Sequence, residues 1–69
     1  MEKRKIVYPT LRAVMKEHRD KIETLSKILN ISSMSVWRRL SGNMEWTVSE
    51  ATTLCKHYEV VFEELFKKN

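Results

Sequence analysis

Sixty-nine residues with one cysteine, one glycine, one proline and two separated histidines make a single domain with no internal disulfide or zinc-ligand cluster and too few turn residues for a meander of strands. A chain this short hides only about 60% of the surface its unfolded form exposes, so its core must be compact and held by packing. The net charge of +4 is lopsided, ten Lys/Arg against four acids in residues 1–39 and three against five in residues 40–69; such a field favours polyanions, nucleic acid before an acidic membrane, although basic residues also serve plain solubility.

Residues 1–7, with Lys3 to Lys5, precede any periodicity and read as a flexible basic arm. The domain proper, residues 8–69, opens at Tyr8-Pro9, and Pro9 suits a first helical position because its missing N–H costs nothing there. Leu11, Val14, Met15 and His18 fall at i, i+3, i+4 and i+7, the stripe of a first amphipathic helix. Asp20 with Glu23 predicts a capping box for a second helix that buries Ile22, Leu25, Ile28 and Leu29. That helix stops at Asn30, which tolerates a left-handed conformation.

Ile31 then points inward, and Ser32 or Ser33 caps a third helix that runs to about Ser41, where Gly42 supplies a left-handed terminus. Val36 and Leu40 are its only apolar i, i+4 pair. Met34, Trp37, Arg38 and Ser41 take the other side, a mixture that solubility alone would not choose. After the Asn43-Met44-Glu45 loop, Thr47 and Glu50 form a second capping box with Trp46 and Ala51 in staple positions. The fourth helix presents Val48, Ala51, Leu54, Cys55 and Tyr58, and a short fifth, about Phe62 to Phe66, returns Leu65 and Phe66 to the core. Trp46 and Tyr58 are expected to join them there.

No apolar run is longer than three residues, as at Val60-Val61-Phe62, against the ~20 that span a bilayer. Glu2-Lys3-Arg4-Lys5 leads into no apolar signal segment. A soluble, cytoplasmic protein with a reduced Cys55 is expected. His18 and His57 lack an acidic or thiol partner at ligand spacing, so neither metal nor cofactor is expected. There is no nucleophile elbow, phosphate loop or paired-carboxylate setting, and no enzymatic activity is expected.

Two short helices, a three-residue turn and a capped second helix with a non-core outward face are the arrangement that lays a recognition helix in the DNA major groove. Leu25, Leu29, Ile31 and Val36 would fix the angle between them, with the small Ser26 at their closest approach. The segment at about residues 22–41, with Leu25-Ser26, Asn30-Ile31-Ser32, Val36, Leu40 and Gly42, resembles the Cro/repressor (XRE-like) helix-turn-helix family. Thr47 with Glu50, Tyr58-Glu59-Val60 and Glu63-Glu64-Leu65-Phe66 are similar to that family's fourth and fifth helices, and Arg39-Leu40-Ser41-Gly42-Asn43 followed by Trp46-Thr47 is similar to small prophage Cro-like regulators. The chain departs at Ile22, where a phosphate-anchoring polar residue is common, and at Glu59, where glycine is common.

The resemblance implies an all-α, compact five-helix, lambda-repressor-like DNA-binding domain and a sequence-specific transcriptional regulator acting on double-stranded DNA. Carried over by position, it makes Ser33, Met34, Trp37 and Arg38 the base-reading residues and sets Lys21, Ser32, Arg39, Ser41 and Asn43 near the phosphates. Arg38 would pair with guanine through two hydrogen bonds, and Met34 and Trp37 would meet thymine methyls or sugar edges. Trp37 is also compatible with packing beside Val36 and Leu40, and Arg39 with a solvated charge. One recognition helix covers few base pairs, so a homodimer on half-sites about 34 Å apart is expected, with Phe62 or Phe66 at its surface. The alternative is a protein-interaction module, an antirepressor or antitoxin-like partner, that grips another protein through Met34, Trp37 and Met44. Membrane association is not expected without a strongly basic amphipathic helix.

Overall fold

A computed structural model describes residues 6–68, so the basic stretch at Lys3 to Lys5 lies outside the described residues. Among the described residues there are five α-helices and no strand: α1 (Pro9–Glu17), α2 (Ile22–Leu29), α3 (Ser33–Leu40), α4 (Val48–Tyr58) and α5 (Phe62–Leu65). Every helix sends at least one side chain into a common core of Tyr8, Leu11, Met15, Leu25, Val36, Leu40, Leu54, Tyr58 and Leu65. Six of the core residues are essentially without solvent exposure: Leu11, Leu25, Val36, Leu40, Leu54 and Leu65. Burying a leucine is worth roughly 1.5–3 kcal/mol, and such packing is the main support of a domain without crosslinks. No helix among the described residues is long and apolar enough to cross a membrane.

The first four helices end in one way. Arg19, Asn30, Gly42 and Glu59 have φ of 58°, 57°, 86° and 57°. In each case the following amide reaches back to a carbonyl five residues earlier: Asp20 to Met15 (2.8 Å), Ile31 to Ser26 (3.1 Å), Asn43 to Arg38 (2.9 Å) and Val60 to Cys55 (3.1 Å). This is the Schellman closure, which satisfies carbonyls the helix end would otherwise orphan. Asn30 and Gly42 do it at low cost. Arg19 and Glu59 do it against the penalty that a Cβ meets in the left-handed region, without the short polar side chain that eases it for asparagine. Glu59 therefore closes α4 as a glycine would, despite its side chain.

The helix starts divide into expected and unexpected. Ser32 caps α3, its hydroxyl accepting the Ser35 amide (3.1 Å), and Thr47 with Glu50 makes the reciprocal box at α4 (3.1 and 3.0 Å). Asp20 does not cap α2. Lys21 holds that place, its amide donating to Thr24 Oγ1 (3.1 Å), because the Asp20 carboxylate is engaged by the Tyr58 hydroxyl at 2.7 Å. A hydrogen bond to a buried phenol outranks a local cap at the surface. Val48, expected on the buried stripe of α4, is 84% exposed, since it stands in the first turn where the helix has not yet reached the core.

Tyr8, Trp46 and Phe66 pack edge to face with ring centroids 5.6–6.4 Å apart. Tyr8 is fully buried by this cluster, whereas Trp46 and Phe66 are half-buried at its rim. Cys55 is half-buried, and desolvation pushes its thiol pKa up. The fold also unites the two histidines: His18 and His57 lie 6.4 Å apart, both against the Tyr58 ring, and His57 Nε2 is 3.3 Å from Asp20 Oδ2. No group of three metal-ligating side chains occurs among the described residues.

Candidate nucleic-acid interface

The α2–turn–α3 unit is built from Leu25, Ile31, Val36 and Leu40, which pack inward while the turn is held by the Asn30 left-handed closure and by the Ser26 hydroxyl donating to the Ile31 carbonyl. With Val36 and Leu40 on the core side of α3, the opposite face carries Ser33, Met34, Trp37 and Arg38 into solvent. Met34 is 59% and Trp37 39% exposed, so the indole stands outside the core.

Ser33, Met34 and Trp37 line a shallow groove of about 420 Å³ whose other wall is Ile22 and Glu23 of α2. Ile22 thus stands in the groove wall as an apolar residue. Arg38 is exposed one position beyond Trp37, and among the described residues no carboxylate lies within ion-pair distance of it.

Ile22 and Glu23 also border a second, larger trough of about 660 Å³, walled by Arg12, Lys16, Arg19 and Lys21 with Asp20 at its edge. Four cations against two carboxylates make this a cationic trough beside the groove. Lys21 was expected there; Arg12, Lys16 and Arg19 were not. Their signal was present as i, i+4 and i+7 spacing, Arg12 and Lys16 on α1 and Arg19 just past its end, each one position after a residue of the apolar stripe.

The remaining expected phosphate contacts divide. Lys21, Ser32 and Asn43 are exposed, Lys21 in the wall of the trough, Ser32 at the start of α3 and Asn43 just past its other end. The Ser41 hydroxyl is turned back onto the Trp37 carbonyl (2.8 Å). Arg39 is neither a solvated charge nor an outward one. Its Nε donates to Glu50 Oε1 at 2.8 Å and its Nη1 to the Ser35 carbonyl at 3.2 Å, with both charged side chains less than 15% exposed. Its guanidinium is a tie between α3 and α4.

A family model described as the BetR domain matches residues 3–69 of the chain. No curated protein and no solved structure matches it.

Proposed function

Because the chain belongs to the BetR domain family, a family of helix-turn-helix DNA-binding domains, we propose that it is a sequence-specific transcriptional regulator of the Cro/repressor kind that seats α3 in the major groove of operator DNA. The observation that carries this reading is the juxtaposition of an outward α3 face, Ser33, Met34, Trp37 and Arg38, with the trough walled by Arg12, Lys16, Arg19 and Lys21. Phosphate contacts set register and base-edge contacts set sequence. The two surfaces supply one of each.

In this mode Arg38 pairs with guanine O6 and N7, worth about 1–3 kcal/mol of discrimination. Ser32 caps the α3 N-terminus, where amides and the helix dipole favour a phosphate, and Lys21 adds a cation from the trough. Arg39 positions the unit from behind. The chain acts by binding alone, as a homodimer in the bacterial cytoplasm whose half-sites lie about 34 Å apart. Exposed Val61 and Phe62 near α5 are apolar surface suited to the dimer contact.

The test is fluorescence anisotropy on labelled duplex DNA across a salt series, with wild type and Arg38→Ala. Affinity should fall steeply with salt, and the variant should bind about tenfold more weakly with relaxed sequence preference. No duplex binding at low salt would overturn the reading. The exposure of Met34, Trp37 and Met44 favours a second reading, a protein-interaction module on the same fold. It predicts a partner complex insensitive to Arg38→Ala and to salt.

A further inference from the structure

The groove between α2 and α3 has the wrong chemistry for most of what a duplex displays. Its walls are Ile22, Met34 and Trp37, and its other lining residues are Ser33 and Glu23. In the groove no cation offsets the Glu23 carboxylate, whereas in the adjoining trough Arg12, Lys16, Arg19 and Lys21 outnumber Asp20 and the shared Glu23, so the DNA backbone belongs on the trough. What enters the groove must therefore be a base edge, with an apolar group for its walls and a donor for Glu23.

The thymine C5-methyl is the apolar group that unmodified DNA presents in the major groove, and the adenine N6 amino group beside it in the same pair is a donor. We propose, resting on the DNA-binding reading above, that the Ile22–Met34–Trp37 groove is a receptor for a thymine methyl and that Glu23 accepts a hydrogen bond from the adenine amine, so that the chain reads a T·A pair at this point in its site. The charge layout complements this occupant. The cations line the trough, where phosphates would pass, and Glu23, on the border that trough and groove share, is the carboxylate an amine in the groove would meet. The groove thus complements Arg38, which is suited to guanine, and the two together define a half-site with a T·A pair next to a G·C pair.

The experiment is made on the DNA, so that no result depends on a variant folding. A preferred site is first selected by the full chain from a random duplex library, and each thymine in it is replaced in turn by deoxyuridine, which differs only in lacking the methyl. Replacement at one position per half-site should weaken binding about fourfold, the loss for one buried methyl. Met34→Gln, at an exposed position, should bind the thymine and deoxyuridine sites equally. Equal affinity of wild type for thymine and deoxyuridine at every position overturns the proposal, as does a Met34→Gln protein that keeps the full difference. Tighter binding on replacing a cytosine by 5-methylcytosine, with no thymine effect, also overturns it and moves the methyl to that base. Failure to retain any duplex overturns the DNA-binding reading and this inference together, an outcome distinct from tight binding blind to the methyl.

Discussion

Arg39 Nε and Glu50 Oε1 lie 2.8 Å apart across the α3–α4 junction, and the same carboxylate oxygen accepts the Thr47 amide at 3.0 Å. One oxygen therefore both closes the capping box of α4 and receives the charge that anchors α3. The pair holds the reading helix at a set angle to the body of the domain.

Arg39→Ala leaves a nearly buried carboxylate without its partner and should cost about 1–3 kcal/mol, between the values for exposed and buried pairs. Thermal unfolding by circular dichroism measures it. The variant should bind DNA more weakly in proportion to its lost order, with the slope of log affinity against log salt unchanged. A reduced slope would show that Arg39 touches phosphate after all.

Neutralising the trough has the opposite signature. Arg12→Gln with Lys16→Gln, both exposed on α1, should leave the melting temperature within a few degrees of wild type. The salt slope should fall by about 0.9 for each phosphate contact removed. An unaltered slope would exclude α1 from the DNA interface.

At the left-handed termini, two substitutions should act in opposite directions. Gly42→Ala meets the backbone penalty and also sets its Cβ about 3.2 Å from Val7 Cγ2. A loss of about 1–2 kcal/mol is expected. Glu59→Gly relieves the same backbone strain without a clash, and after the entropic cost of glycine should stabilise by about 0.5–1 kcal/mol. Denaturant titration of both variants checks the pair, and a destabilised Glu59→Gly would refute the strain argument.

Tyr58 supplies a pH test. Burial first, then its hydrogen bond to Asp20 and that carboxylate's charge, push the phenol well above its ordinary value. A proton held more tightly in the fold than in the unfolded chain stabilises fully below about pH 10, the unfolded value. That contribution is lost as pH rises from there through the folded value. Ultraviolet titration should show one phenol ionising only with alkaline unfolding. Tyr58→Phe should remove this step and cost about 1–2 kcal/mol at neutral pH by taking from Asp20 the shorter of its two side-chain contacts, the other being His57.

Features that depend on residues within five positions of each other were legible in the chain. Asn30, Gly42, Ser32 and the Thr47–Glu50 box stand where local chemistry puts them, and Val36 with Leu40 marks the inner side of α3. What was not legible depends on partners far along the chain. Asp20 is drawn from its cap by Tyr58, 38 residues away, and Arg39 is drawn inward by Glu50, 11 away. The histidines look isolated until α1 and α4 bring their rings together. Trp37 was undecided because an indole satisfies either side of a helix; the fold leaves it half-exposed beside Ile22.

The repeated helix terminator also bears on how quickly the molecule assembles. Each of the first four chain reversals is completed by a hydrogen bond spanning five residues, so little loop-closure entropy is spent before a turn is rewarded. Helical domains made of such local steps fold in microseconds to milliseconds. The contacts that span the most chain are those that bring α5 onto α1 and Phe66 onto Tyr8, so joining the two ends of the chain is the step with the largest loop-closure cost.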